Sequence, residues 1–127
     1  MATPEDVRRL ALALPEASDC SGKGLSFEVA GKGFAWSWNE RVEPKKPRVP
    51  RLDVLAVRVD PDAKQAILAA DPELFETDPH YDGFPAVLVR LSRADEATLK
   101  GFLVGAWAQR APKKLLQAND LKALAGR

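Results

Sequence analysis

The first hydrophobic pattern in the chain has helical spacing. Its apolar residues fall at i, i+3, i+4 and i+7, in the order Val7, Leu10, Ala11 and Leu14. Thr3 is a good N-cap residue, Pro4 suits the first helical position, and Pro15 cannot continue a helix. The pattern therefore predicts a short amphipathic helix that begins after Thr3 and ends before Pro15.

The next residues alternate with the period of a β-strand in two successive runs, and this pattern predicts a β-hairpin. The first run alternates apolar with polar or small residues over residues 25–30, and the second run places its aromatic residues two apart, at Phe34, Trp36 and Trp38. The segment Gly31-Lys32-Gly33 between them suits a tight turn, because glycine adopts positive φ without strain. We expect the two runs to pair with these aromatic rings on one face of the hairpin.

The second half of the chain begins with a predicted strand over residues 52–59. A helix should follow, with Asp60 as its N-cap and Pro61 at its first position. We expect residues 71–75 to add one more helical turn and residues 87–91 to form the next buried strand.

The last long helix has the clearest pattern in the sequence. Ser92 is expected to cap it, Asp95 to complete a capping box, and Pro112 to end it. Its apolar residues at helical spacing are Leu99, Phe102, Leu103, Ala106 and Trp107.

This order of elements predicts the fold class. Helix, strands, helix, strand and helix joined by short connections indicate a two-layer α+β fold, with a mainly antiparallel sheet and helices packed on one face. We assign residues 1–115 to a single domain. Residues 116–127 form a C-terminal tail, which is either a short helix or a mobile end.

Residues 41–51, here called the basic segment, interrupt the alternating pattern. Pro44, Pro47 and Pro50 recur every third residue, which favours an extended, exposed connection and argues against a central strand. The segment contains one acid, Glu43, and five basic residues, a net charge of +4. The basic residues are Arg41, Lys45, Lys46, Arg48 and Arg51.

Charge is unevenly distributed although the whole chain carries only +1. Residues 98–127, which include Lys113 and Lys114, hold six basic residues and one acid, whereas residues 52–86 hold eight acids and two basic residues. If the basic segment and the C-terminal cations share a face, that face could neutralise phosphates. The other interpretation is a solvated connection without a ligand.

Few residues are suited to catalysis or metal binding. Cys20 is the only cysteine, which excludes an intrachain disulfide and a cysteine-based metal site. His80 is the only histidine, and Asp78 or Asp82 could orient it as a general base, but no nucleophile accompanies it. We favour a turn in which His80 bonds locally and Tyr81 packs on the sheet, and we predict no enzyme, no cofactor and no metal.

Neither a membrane span nor a signal peptide is expected. No apolar run approaches ~18 residues, the length needed to cross a bilayer. The first six residues are polar and acidic rather than basic and then apolar. The sequence therefore predicts a cytoplasmic protein without a membrane partner.

Five segments in series carry a family resemblance. They are ALALPEA (11–17), FEVAGKGFAW (27–36), LAVRVDP (55–61), DPELFETDPHYDGFPAVLVRL (71–91) and WAQRAPKKL (107–115). Together they resemble the MmcQ/YjbR-like family of small bacterial proteins over nearly the whole chain. The resemblance implies a compact α+β fold similar to that of secretion chaperones. It also implies DNA binding through a double-wing arrangement of β-hairpins, and it supplies no catalytic residues.

Three functional hypotheses follow. The first is a non-enzymatic DNA-binding domain whose basic segment contacts phosphates, with Lys113 and Lys114 as additional contacts and Trp38, if exposed, as a stacking residue. Binding of this kind should be weak and salt-dependent. The alternative is a chaperone-like protein-interaction module without nucleic-acid binding, present as a monomer or weak dimer. The third is an enzyme that uses the His80–Tyr81 loop.

Overall fold

An open antiparallel sheet of six strands is the frame of the protein. The computed structural model describes residues 2–21, 24–40, 49–76, 81 and 83–118, and for residues 39, 40 and 49–52 it describes the backbone alone. The elements are α1 (Pro4–Leu12), β1 (Ala17–Asp19), β2 (Ser26–Val29), β3 (Lys32–Glu40), β4 (Val49–Arg58), α2 (Lys64–Ala70), β5 (Phe75–Glu76), β6 (Ala86–Arg90), α3 (Glu96–Arg110) and α4 (Lys113–Ala118).

The strands lie in the order β1-β2-β3-β4-β6-β5, and every neighbouring pair is antiparallel. The two longest helices, α1 and α3, pack against one face of this sheet and against each other. Apolar residues of α2 and α4, such as Ile67 and Leu115, border the same core. The predicted two-layer α+β fold is therefore confirmed.

Trp107 lies at the centre of the core between α3 and the sheet. Its side chain is fully buried, and its indole Nε1 donates a hydrogen bond to the carbonyl oxygen of Pro15 at 2.9 Å. Pro15 follows α1, so this bond ties the last turns of α3 to the end of the first helix. A buried indole needs a partner for its N–H, and the carbonyl of Pro15, which lies beyond the end of α1, provides one.

A β-bulge in β3 changes which aromatic residues share a face. Phe27 pairs with Ala35 while the next residue, Glu28, pairs with Gly33, so Phe34 is an extra residue in the ladder. Phe34 consequently joins Ala35 in the core under the helices, and Trp36 points to the other face. The expectation that the aromatic rings of β3 share one face is wrong, because simple alternation does not pass through a bulge.

The helix starts are partly as predicted. Thr3 caps α1 through a capping box with Asp6, since each side chain accepts from the other residue's backbone N–H. Asp95, not Ser92, is the N-cap of α3 and accepts from the N–H of Thr98 at 2.7 Å, and Leu91–Arg93 form a separate 3₁₀ turn. The capping prediction at Ser92 is therefore wrong.

The predicted cap of α2 is also wrong. Asp60 bonds the N–H of Asp62 in a turn, and α2 begins only at Lys64. The side-chain oxygen of Asp60 thus satisfies a donor before the helix, as Asp commonly does in turns. Lys64 is buried at this start, although the apolar pattern pointed to alanines of the same helix.

Two strand assignments differ from the sequence-based prediction. Residues 71–74 form the expected turn, closed by the hydrogen bond from Leu74 N–H to Asp71 O at 3.1 Å, but Phe75–Glu76 continue as the edge strand β5, paired with β6. Strand β4 begins at Val49 and includes Pro50, which lies opposite Asn39. Proline is tolerated there because this end of β4 pairs with β3 on one side only, so its missing N–H faces away from the ladder.

Within the described residues, no helix is both long enough and apolar enough to cross a membrane.

Candidate nucleic-acid interface

A two-stranded ribbon extends from the middle of the sheet. Strand β4 pairs with β6 from Val54 to Arg58, but its pairing with β3 continues further, through Arg51, Pro50 and Val49. We call residues 38–40 and 49–51 the β3–β4 ribbon. Three more residues per strand add about 10 Å of length. The ribbon ends at Glu40 and Val49, which the rest of the basic segment connects.

The ribbon is the result of a second irregularity. Ser37 pairs with Leu55 but Trp38 pairs with Arg51, so β4 contains three extra residues at this point. A bulge bends the strand that carries it and increases its twist. The ladder beyond the bulge is therefore redirected relative to the sheet.

Most of the predicted phosphate contacts lie outside the described residues. This holds for Arg41, Lys45, Lys46 and Arg48, while Arg51 is described through its backbone alone, opposite Trp38. Their role in nucleic-acid binding stays a prediction. The structure locates the two strand ends, Glu40 and Val49. Arg41, Lys45, Lys46 and Arg48 belong to the connection between these ends.

Lys113 and Lys114 lie at the other end of β3. Both side chains are exposed on α4, and Lys114 lines an open groove together with Gly31 of the β2–β3 turn. From that turn to Glu40, β3 covers eight residue steps, or about 26 Å at ~3.3 Å per step. The two predicted groups of cations are therefore not adjacent, and the structure does not support a joint surface formed by both.

Trp38 is not available as a stacking platform. Its side chain is 7% exposed and packs with Val54, Ala56 and Leu88 on the face of the sheet away from α1 and α3. We call this the second face. A base needs an open ring to stack on, so the expectation for Trp38 is not supported. Trp38 follows Trp36 by two residues on β3, so both rings lie on this face, where apolar neighbours cover Trp38.

The partly exposed aromatic residues of the second face are Trp36 and Tyr81. The indole Nε1 of Trp36 donates to the hydroxyl of Tyr81 at 3.0 Å. Phe84, which is 39% exposed, contacts both rings edge-to-face, with centroids 6.3 Å from Trp36 and 5.6 Å from Tyr81. The predicted packing of Tyr81 on the sheet is thus confirmed, and the hydrogen bond fixes the orientation of both polar rings.

Lys64 anchors the loop that carries these rings. Its ammonium group donates to the carbonyl oxygens of Tyr81, at 2.5 Å, and of Phe84, at 2.7 Å, and the side chain is only 9% exposed. The sequence analysis counted Lys64 only as one of the two basic residues among residues 52–86. The sequence feature that could have identified the burial of Lys64 is its spacing. Lys64 lies three residues before Ile67 and four before Leu68, so the three side chains share one side of the helix.

Removal of the Lys64 ammonium should destabilise the protein. We expect Lys64→Met, which keeps the apolar stem, to lower the free energy of unfolding by about 2–3 kcal/mol, since two carbonyls lose a charged donor. Urea unfolding followed by tryptophan fluorescence measures this. A variant as stable as the wild type would contradict it, and would mean that an apolar side chain compensates for the lost bonds.

The residues considered for catalysis do not assemble into a site within the described part of the chain. His80, Asp78 and Asp82 lie outside it. Cys20 is exposed, and desolvation together with the nearby carboxylate of Glu28 raises the pKa of its thiol above the ordinary value. A raised pKa leaves less thiolate at neutral pH, so Cys20 is not activated as a nucleophile. In the described ranges no three His, Cys, Asp or Glu side chains are grouped to hold a metal ion.

Part of the acidic region is already occupied by an internal ion pair. The carboxylate of Glu76 on β5 accepts two hydrogen bonds from the guanidinium of Arg90 on β6, at 3.1 and 3.2 Å. Arg90 also donates to the carbonyl oxygen of Glu73. This bidentate contact joins the edge strand to its neighbour, and Glu76 does not offer a free charge to a basic partner.

Comparisons with known proteins agree with this architecture. Residues 12–109 match the family model YjbR. The uncharacterized proteins Mb2600 of Mycobacterium bovis and Rv2570 of Mycobacterium tuberculosis are each 36% identical over 125 residues, covering 93% of this chain and 95% of theirs. The crystal structure of Deinococcus radiodurans protein DR2400, with a domain described as DUF419, superimposes with a TM-score of 0.64 and 21% identity over 99% of this chain and 89% of that one. The last similarity concerns the fold alone.

Proposed function

Because this chain belongs to the YjbR family, whose matching relatives are described as uncharacterized, we propose a function for it from its own geometry. The protein is a non-enzymatic DNA-binding domain that acts through the basic segment at the end of the β3–β4 ribbon. The observation that carries the proposal is the extension of β3 and β4 beyond their neighbours in the sheet, with a segment of net charge +3, residues 41–48, joining their ends and Arg51 adding a further cation on β4.

The dimensions of a ribbon suit a nucleic-acid duplex. The major groove admits a two-stranded β-ribbon, and the phosphates that border it attract Lys and Arg side chains. The bulge at Trp38 redirects the ribbon, which favours contact at its tip without the body of the sheet. Lys113 and Lys114, at the opposite end of β3, are left out of the contact surface.

Salt dependence tests the proposal directly. Five cations allow up to five phosphate contacts, so the logarithm of the association constant should fall with the logarithm of salt concentration with a slope of about −4.5 on duplex DNA. Fluorescence anisotropy of labelled duplex and single-stranded DNA at several salt concentrations measures the slope. Absence of binding to both at low salt would end the proposal.

A protein-interaction role is the alternative, and the exposure of Phe84 beside Trp36 and Tyr81 favours it. Aromatic residues are enriched at the centres of protein interfaces. A protein that elutes as a monomer at all salt concentrations and retains no specific partner in a cross-linked pull-down would contradict this alternative. The cytoplasmic location expected from the N-terminus stays a prediction.

A further inference from the structure

The end of β4 and the end of α3 border a small cleft that contains two arginines. The cleft has a volume of about 130 Å³ and is lined by Arg58, Val59, Pro61, Pro85, Gln109 and Arg110. Its walls are apolar or neutral apart from the two guanidinium groups. Among the described residues no acid contributes to the lining, so two like charges border a shared space with no described carboxylate between them.

Arg110 has an unused hydrogen-bond donor in this cleft. Its Nε atom is buried and has no hydrogen-bond partner among the described residues. A cation in the last turn of a helix is favoured by the helix dipole, which accounts for the charge at this position. The dipole does not account for a buried N–H without an acceptor, because such groups are almost always satisfied in folded proteins.

Within the described part of the chain, Arg58 contacts an aromatic ring and no acid. Its guanidinium carbon lies 5.3 Å from the centroid of the Phe84 ring. Asp60, two residues further on, directs a carboxylate oxygen to the N–H of Asp62 at 2.9 Å. Burial, and then the positive charge of Arg110, lower the pKa of Arg58 below its ordinary value. The fold therefore keeps two repelling cations near each other, which an anion between them would stabilise.

We propose that this cleft binds an oxyanion of phosphate size, the phosphate group of a small ligand, between Arg58 and Arg110. Guanidinium groups contact phosphate oxygens through paired N–H donors, and two arginines, Arg58 and Arg110, line this cleft. Val59, Pro61 and Pro85 limit the space beside it. The site is independent of the proposed function, because Val57, next to Arg58, pairs with Ala35, and the ribbon end at Glu40 lies five residues further along β3, roughly 17 Å away.

Arginine side-chain NMR tests the proposal on the full protein. Inorganic phosphate and a nucleoside 5′-monophosphate are titrated at constant ionic strength, and the Nε–Hε resonance of Arg110 is followed. We expect a saturable shift with a dissociation constant on the order of 1 mM. Clearly tighter binding of the nucleotide would identify the ligand as a phosphoester whose base contacts Phe84, and equal affinities would identify the phosphate group alone. A shift that does not saturate, or that chloride reproduces, overturns the site.

Charge-matched variants distinguish a built site from general attraction. Arg58→Gln and Arg110→Gln should each weaken phosphate binding roughly tenfold or more. Arg93→Gln removes the same charge from an exposed position in the 3₁₀ turn and should leave the affinity unchanged. If Arg110→Gln does not fold, Arg110→Lys retains the charge without the planar donor pair and should also weaken binding. Equal affinities for Arg93→Gln and the cleft variants would overturn the proposal.

Discussion

Neutralising four cations of the basic segment should abolish most DNA binding. In the variant Lys45→Gln/Lys46→Gln/Arg48→Gln/Arg51→Gln, four phosphate contacts are lost, so the slope of log affinity against log salt should become less steep by about 3.6. Four phosphate contacts make the affinity fall roughly 100-fold when the salt concentration rises from about 50 to about 200 mM. The loss at low salt should therefore be at least of that size. Fluorescence anisotropy with a labelled duplex measures both quantities.

The matched control removes the same net charge elsewhere. Lys32, Arg93, Lys113 and Lys114 are exposed, and none lies in the β3–β4 ribbon. Their combined replacement by Gln changes the overall charge equally, so any effect of net charge alone appears in both variants. The control should retain most of the affinity and a slope near that of the wild type. Equal losses in the two variants would show that the contact is not localised to the ribbon.

Replacing Trp107 by Ala should cause the largest loss of stability. The side chain is fully buried, and its removal leaves a large cavity between α3 and the sheet. Truncations of this kind typically lower the free energy of unfolding by about 3–5 kcal/mol. Because a domain of this size is stable by about 5–15 kcal/mol in total, the variant should be close to unfolded under mild conditions. Urea unfolding followed by circular dichroism provides the measurement.

Trp107→Phe separates packing from the hydrogen bond. It keeps an aromatic ring but removes the donor to the carbonyl of Pro15, at a smaller cost of about 1–3 kcal/mol. The order of stability should be wild type, then Phe, then Ala. If the free energy of unfolding of Trp107→Ala were less than about 1 kcal/mol below that of the wild type, the result would contradict the conclusion that this buried side chain is central to the core.

The fold class followed from hydrophobic spacing because most elements here obey it. Leu99, Leu103 and Trp107 are buried as helical periodicity predicts, and Phe27 and Val29 are buried as strand alternation predicts. Where the prediction failed, a local irregularity was responsible. The bulge at Phe34 shifts the alternation by one residue, and nothing in a pattern of period two indicates where an extra residue occurs.

Capping and edge strands were also beyond the sequence pattern. Asp60 and Ser92 are good cap residues by type, but Asp60 is used in a turn and Ser92 in a 3₁₀ turn. Strand β5 has only two residues, Phe75 and Glu76, too few for any period to be visible. Its position follows from pairing with β6 and from the Glu76–Arg90 contact, which are tertiary interactions.

For the candidate sites, too, local patterns could be predicted from the sequence and tertiary contacts could not. A basic segment is visible in the sequence as a local charge excess, but the proline spacing predicted an exposed connection and not the continuation of β4 through Pro50 and Arg51. The pairing of Arg58 with Arg110 was not visible, because the two residues are 52 positions apart and meet only after β4 and α3 have packed. Likewise, the separation of Lys114 from the ribbon depends on the direction of β3, which charge counting ignores.

The position of DNA on the protein tests the central claim most directly. Backbone amide resonances of the labelled protein are followed while an unlabelled duplex is added at low salt. The account predicts saturable shifts centred on the β3–β4 ribbon and the basic segment, from Trp38 to Arg51, and reversed by added salt. Shifts centred instead on Gly31 and Lys114 at the opposite end of β3, or no saturable shift at any residue, would contradict it.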